Sequence, residues 1–214
     1  MASNKPQRWE FARHAMGVAA CLVLGLFGVM QGARIPILAD ASYGFHALGH
    51  LMSWFLPGSY AAMMGSAFQV LVPLGLAGYF LLFHRDLLGV SLMLAWTGVS
   101  AAETSVYIGD AVAQTIVPGL GHTGHDWAIV LEGLGKMGAV EELAFVAQAF
   151  AIVCILIGMG VAAWGAVKAT FERETVEHAD SFLERRPNFA PAEYDEWVRQ
   201  QADGSAPAPP TAGF

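Results

Sequence analysis

Two histidines four residues apart, His46 and His50, have the residue type and the spacing best suited to chemistry in this sequence. Residues four apart lie on one face of a helix, so both imidazole rings can reach the same metal ion. Neutral histidine is a common ligand of zinc and of other divalent metals. The pair therefore predicts part of a metal site, which needs one or two further ligands.

Further ligands are available in a Gly- and His-rich segment, which ends with the candidates His122, His125 and Asp126. We predict that His46 and His50 bind one divalent ion, with zinc favoured, together with His125 or Asp126. Haem is disfavoured, because histidines one turn apart cannot bind opposite faces of one haem and no Cys-x-x-Cys-His motif occurs. The remaining alternative is a structural pair, hydrogen-bonded to neighbouring groups or to lipid headgroups.

Polar side chains recur at i, i+4, i+7 and i+11 just before that segment, at Glu103, Tyr107, Asp110 and Gln114. This spacing predicts one polar stripe on a helix, which must face protein or water because lipid does not tolerate it. Glu103 lies well inside an apolar stretch. It is either a ligand or proton acceptor, or the partner of a neighbour such as Gln69.

The composition is that of a membrane protein. Hydrophobic residues make up 55% of the 214 residues and charged residues 14%, with a mean hydropathy of +0.48. Soluble domains contain roughly 25% charged residues. The net charge of −7 gives no indication of a surface for nucleic acid. Because the composition is strongly apolar, the predicted partner of the chain is the lipid bilayer.

Four apolar runs are long enough to cross a bilayer, at residues 14–33, 60–83, 87–109 and 140–168. The histidine-bearing stretch, residues 43–56, is too short to span, which predicts a re-entrant or interfacial helix ended by Pro57 and Gly58. The expected fold is therefore an all-α polytopic membrane protein with four transmembrane helices and this additional short helix.

The last part of the chain changes character, which divides it into a transmembrane domain at 1–169 and a tail at 170–214. One short amphipathic helix is predicted around Val176–Leu183 and another around Tyr194–Val198, before a Pro-rich end. A run of small residues in the last span, Gly158, Ala162, Gly165 and Ala169, favours close helix packing. We expect this seam and the tail to contact other membrane-protein subunits.

The distribution of basic residues predicts the topology. With four spans, one side of the membrane carries Lys5, Arg8, Arg13, Arg85, Lys168, Arg173, Arg185 and Arg186, and the other carries Arg34 and Lys136. The positive-inside rule then places both termini in the cytoplasm. This topology also puts the His46/His50 helix and the segment with His122, His125 and Asp126 on the same side.

Four short motifs between residues 43 and 138 occur in the order seen in one bacterial family. They are His46-Ala47-Leu48-Gly49-His50, a segment with Gly65, Gln69 and Pro73, Tyr107-Ile108-Gly109-Asp110-Ala111, and His125-Asp126-Trp127 followed by Leu134-Gly135. In this order they resemble the site-2-protease-like, HExxH-type membrane metallopeptidases. The resemblance implies that His46, His50 and the His125-Asp126 segment form the metal site.

The residue between the histidines separates this chain from an active member of that family. A metallopeptidase of this type uses the glutamate after the first histidine to activate the metal-bound water, and here Ala47 stands in its place. The resemblance therefore implies a degenerate, non-catalytic protein of the bacterial inner membrane that keeps a metal site. Our first hypothesis is that it acts as a binding or accessory subunit of a membrane complex, for example of a respiratory or photosynthetic assembly. Two alternatives stay open: an active intramembrane zinc metallohydrolase with another acid as base, and a small transporter or proton-conducting protein lined by the polar stripe.

Overall fold

A computed structural model of the chain describes residues 5–30, 35–116, 124–184, 196, 199–200 and 202–204. The chain divides into two compact units, Met1–Phe171 and Glu172–Phe214. The four membrane spans and the candidate site belong to the first unit.

The described residues form helices and no strand. Helix α1 covers Lys5–Val23 and continues as a π-helix over Leu24–Met30. Helix α2 covers Pro36–Ser53, and α3 covers Gly58–Tyr79 with a π-helical end at Phe80–His84. Helix α4 covers Leu87–Gly109, α5 covers Asp126–Gly133, and a 3₁₀ turn at Met137–Ala139 leads into α6, Val140–Glu184.

Four of these helical stretches are long and apolar enough to cross a membrane: Trp9–Val29, Gly58–His84, Leu87–Gly109 and Met137–Phe171. Large apolar side chains such as Leu71, Leu156 and Trp164 are exposed on their outer faces, where lipid would cover them. The predicted all-α polytopic membrane fold is confirmed.

Helix α2 differs from the prediction at both ends, since it covers Pro36–Ser53 and not residues 43–56. The sequence predicts a first span at 14–33 and the short helix at 43–56, with no helix between them. Pro36 instead begins a helix, where its missing N–H leaves no hydrogen bond unmade, and Ile35 before it is extended. One face of α2 is buried at intervals of three and four residues: Ala39, Ser42, His46, Gly49 and Ser53.

The small-residue seam of α6 packs inside the chain. A Cβ at Gly158 would meet the Ser91 carbonyl oxygen of α4 at 2.9 Å, and one at Gly165 would lie 2.5 Å from His14 Nδ1 of α1. Ala162 is fully buried. Close helix packing is therefore correct, but the prediction that this seam contacts other subunits is wrong, because α1 and α4 already cover it.

The tail prediction also needs correction. The residues around Val176–Leu183 are the end of α6, which runs without a break to Glu184, and are not a separate helix. Glu, Arg and Ala in this stretch favour continuation of the helix. The second predicted tail helix, around Tyr194–Val198, lies outside the described residues.

Helix α4 ends before the predicted polar stripe does. Its last residue is Gly109, and Asp110 closes its C-terminus. Gln114 has a φ of +51°, in the left-handed region, and lies in the turn beyond the helix. The stripe on the helix itself therefore consists of Glu103 and Tyr107, both near its C-terminal end.

Candidate metal centre

Three side-chain atoms from two helices meet in one buried triangle. His46 Nε2 and His50 Nε2 on α2 lie 3.1 Å apart, and Asp126 Oδ2 on α5 lies 3.0 Å from the first and 3.2 Å from the second. The side chains of His46, His50 and Asp126 are 7%, 15% and 5% exposed. Water is thus largely excluded, which strengthens every electrostatic interaction within the triangle.

The first residue of α5 supplies the carboxylate. His125 precedes the helix as its N-cap, and its Nδ1 accepts the N–H of Ala128 at 3.4 Å. Asp126 then occupies the first turn, where the positive end of the helix dipole favours a negative charge. The Tyr107 hydroxyl accepts the backbone N–H of Asp126 at 3.1 Å and lies 3.3 Å from its Oδ2. Helix α4 therefore fixes the position of the carboxylate.

The ring of His46 is oriented by an amide from α3. His46 Nδ1 lies 3.3 Å from Gln69 Oε1, and Gln69 Nε2 donates to Glu103 Oε2 at 2.9 Å. An amide oxygen accepts hydrogen bonds and does not donate them, so Nδ1 of neutral His46 carries the proton. Its Nε2 is then unprotonated, and the lone pair on this nitrogen is directed into the triangle.

The ring of His50 is oriented in the same way by the α3 backbone. Its Nδ1 lies 3.1 Å from the carbonyl oxygen of Ala61, which again accepts only. Nδ1 of neutral His50 therefore carries the proton, and its Nε2 lone pair also faces the triangle. Metal-binding histidines are typically held in this way, with the second nitrogen donating to a carbonyl or a carboxylate.

A glycine of α3 leaves room directly in front of the two ring nitrogens. A Cβ at Gly65 would lie 2.6 Å from His46 Nε2 and would overlap His50 Nε2. Helices α2 and α3 also touch at Gly49, where a Cβ would meet Gly65 Cα at 3.0 Å and overlap the Met64 carbonyl oxygen. A side chain at position 65 would thus fill the space in front of the triangle.

The charges of the triangle depend on one another. Burial raises the pKa of Asp126, but in the metal-free protein hydrogen bonds from Nε2 of His46 and His50, when these atoms carry a proton, lower that pKa by more, so the group is held as a carboxylate. The hydrogen bond to Asp126 raises the pKa of His50 above its usual value, while burial opposes this effect. In the absence of another cation, Asp126 therefore favours a proton on His50.

The spacing of the three atoms fits a small divalent ion. In a tetrahedral zinc site with bonds of about 2.0–2.1 Å, neighbouring ligand atoms lie about 3.3–3.4 Å apart. The three edges of the triangle are 3.0 to 3.2 Å, close to that spacing. The donor set of two imidazoles and one carboxylate is one that zinc accepts, and it leaves a fourth position free.

The structure brings together three of the five residues predicted to form the site. His125 does not join the triangle: its Nε2 lies 3.3 Å from Asp110 Oδ2. In the loop after α4, the Thr115 hydroxyl and the Ile116 backbone N–H donate hydrogen bonds to the Asp110 carboxylate. The bond from Thr115, followed by that from Ile116, lowers the pKa of Asp110. His122 lies outside the described residues. Between the two predicted alternatives for the third ligand, the geometry favours Asp126.

Sequence reasoning missed the residues that orient the ligands. The sequence predicts pairing of Gln69 with Glu103 as one alternative, and the structure has this hydrogen bond. Its bond to His46 was not foreseen, and neither were the roles of the Ala61 carbonyl and Gly65. The α2–α3 crossing that creates these contacts is set by Gly49, which in the sequence is one glycine among 24.

Comparisons of this chain with protein-family models, with curated proteins and with solved structures gave no significant match. The resemblance to site-2-protease-like metallopeptidases is therefore untested by them and stays a prediction. Each of the four motifs behind it nevertheless contributes to the triangle or its surroundings, through His46 and His50, Gly65 and Gln69, Tyr107, and Asp126.

Proposed function

We propose that this protein is an integral membrane metalloprotein in which His46, His50 and Asp126 bind one divalent ion, with zinc as that ion. The observation that supports the proposal is the meeting of three electron-rich atoms within 3.0 to 3.2 Å of one another in a buried place. With both Nδ1 atoms donating to carbonyl oxygens, two lone pairs and a carboxylate oxygen face each other.

Such an arrangement is unfavourable unless a cation occupies it. Lone pairs and a negative charge repel at these distances in a low-dielectric site, and a proton on one imidazole relieves only part of that repulsion. A divalent ion accepts all three donors at once. Zinc is favoured over calcium and magnesium because it takes nitrogen and oxygen ligands in small coordination numbers, whereas those two ions prefer sites built from oxygen alone.

We propose further that the site is a degenerate version of a metallopeptidase centre. A bound zinc ion supplies a Lewis acid, but hydrolysis also needs a base close to the attacking water. Ala47 offers no proton acceptor. Glu103 accepts a hydrogen bond from Gln69, whose side chain separates it from His46, and Asp126 is itself a member of the triangle.

For a metal site without a base we propose a binding or accessory role in a membrane assembly. The α6 seam does not support it, because that seam is buried within the chain, so partner contacts would involve other surfaces. The transporter alternative is less well supported than the metal site: Gln69 pairs with Glu103, and Tyr107 pairs with Asp126, so these polar groups bond to each other.

Metal content tests the proposal. Protein purified in detergent without chelator is analysed by mass spectrometry for metals, with the His46→Ala/His50→Ala double variant beside it. His84→Ala is the matched control, since His84 is an exposed histidine that bonds to Tyr79, far along α3 from the triangle. We expect one zinc per chain in the wild type and in the control, and none in the double variant. A wild type without stoichiometric metal would refute the proposal.

A further inference from the structure

We propose that Glu103 is a positioning residue for the metal site, acting through Gln69 on His46. Its carboxylate sets the orientation of the Gln69 amide, and it supplies the second negative charge that balances a divalent ion. This inference rests on the proposed function, since it concerns the same site.

The contact is a relay across three helices. Glu103 Oε2 on α4 accepts from Gln69 Nε2 on α3 at 2.9 Å, and Gln69 Oε1 lies 3.3 Å from His46 Nδ1 on α2. An ionised carboxylate has no proton to donate, so the NH₂ end of the amide must face Glu103. The carbonyl end then faces His46 and requires a proton on Nδ1.

The consequence for metal binding follows from the two orientations of the amide. If Gln69 turned over, its NH₂ group would face His46, and Nδ1 would have to be the unprotonated nitrogen. The proton of the neutral ring would then sit on Nε2, inside the triangle, where it would block the metal. Without an acceptor at position 103, nothing in this relay selects the orientation that leaves Nε2 free.

Charge balance gives Glu103 a second effect. A zinc ion brings two positive charges, and Asp126 is the one carboxylate in the triangle. Glu103 lies within the span Leu87–Gly109, where an uncompensated carboxylate is costly. With Asp126 and Glu103 both ionised, the charges of the two carboxylates and of the divalent ion sum to zero. The ion therefore stabilises the ionised form of Glu103, and the ionised Glu103 stabilises the bound ion.

Zinc affinity is the test, measured in detergent by competition with a chromophoric chelator. Glu103→Ala and Gln69→Leu remove the relay, and we expect each to weaken zinc binding by about 10–100-fold, the range typical of groups that orient metal ligands. Glu103→Gln retains an oxygen that accepts from Gln69 but loses the charge. We expect a smaller loss of zinc affinity for this variant. Because glutamine has nearly the size of glutamate, Glu103→Gln also serves as a control for a folding defect.

Ser100→Ala is the matched control, because Ser100 on α4 also forms a buried hydrogen bond to α2, between its hydroxyl and that of Ser42 at 3.0 Å. We expect this variant to lower the melting temperature of the metal-free protein while leaving the zinc affinity unchanged. If Glu103 had a purely structural role, Glu103→Ala and Ser100→Ala would behave alike in both measurements.

The failures of this inference and of the proposed function are distinguishable. Wild-type zinc affinity in Glu103→Ala and Gln69→Leu, together with loss of zinc in the His46→Ala/His50→Ala variant, would overturn the role of Glu103 and leave the metal site standing. A Glu103→Gln variant with wild-type affinity would overturn the charge contribution. No zinc binding by the wild type would overturn both proposals.

Discussion

The Nε2 atoms of His46 and His50 lie 3.1 Å apart, and the opposite nitrogen of each ring lies beside a carbonyl oxygen from α3. One oxygen belongs to the Gln69 side chain and the other to the Ala61 backbone. A single helix thus orients both imidazoles, while Asp126 of α5 completes the triangle.

Replacing the carboxylate should cost more zinc affinity than replacing any orienting group. Asp126→Asn keeps the shape of the side chain but loses the charge that attracts the ion, so we expect a loss beyond the roughly 10–100-fold typical of outer groups. Asp110→Asn is the matched control, because Asp110 faces His125 and the loop. Equal losses in the two variants, measured by chelator competition, would argue against Asp126 as a ligand.

Adding one methyl group at Gly65 should close the site. Its Cβ would lie 2.6 Å from His46 Nε2, so the ring must move away from the position that binds the metal. We expect Gly65→Ala to lose stoichiometric zinc. Gly75→Ala, on the same helix but with open space around its Cβ, should retain zinc and gain up to about 1 kcal/mol of helix stability. Retention of zinc by Gly65→Ala would show that the ion lies elsewhere.

Zinc affinity should fall as the pH is lowered. A histidine must be neutral to bind metal, and the hydrogen bond to Asp126 raises the pKa of His50 above 6.5. Proton competition therefore begins at a higher pH than for a free imidazole, while Asp126, whose pKa is lowered, stays ionised. Zinc titrations between about pH 5 and 8 check this. An affinity independent of pH over that range would contradict histidine ligation.

Removing the Tyr107 hydroxyl should loosen the carboxylate. Tyr107→Phe deletes the partner of the Asp126 N–H and a neighbour of its Oδ2. A hydrogen bond to a charged group contributes about 1.5–3 kcal/mol, so we expect a loss of that order in the unfolding free energy of the metal-free protein. Tyr79→Phe, whose hydroxyl bonds to the exposed His84, is the control and should lose much less. Chemical denaturation in detergent measures both, and equal effects would mean that the Tyr107 contact contributes little.

The spans, and the meeting of His46 and His50 with the segment His125-Asp126, could be predicted because they depend on quantities that the sequence displays. Length and hydropathy define a span. Two loops lie on the same side of the membrane when an even number of spans separates them. The start of α2 could not be predicted in the same way, because a proline ends one helix or begins the next with equal ease.

The choice of Asp126 over His125 was beyond the sequence for a different reason. Adjacent residues at a helix start point in different directions, and the direction depends on which of them becomes the N-cap. His125 takes that position and turns toward Asp110, so Asp126 enters the triangle. Likewise, small residues such as Gly158 and Ala162 predict close packing but do not indicate whether the partner helix belongs to the same chain.

X-ray absorption at the zinc edge of the loaded protein tests the central claim most directly, because it reports the atoms bound to the ion. We expect two imidazole nitrogens and a carboxylate oxygen at about 2.0–2.2 Å, with the imidazole signal lost in the His46→Ala/His50→Ala variant. A shell of oxygen ligands without imidazole, or one that contains sulfur, would contradict the assignment of this site to His46, His50 and Asp126.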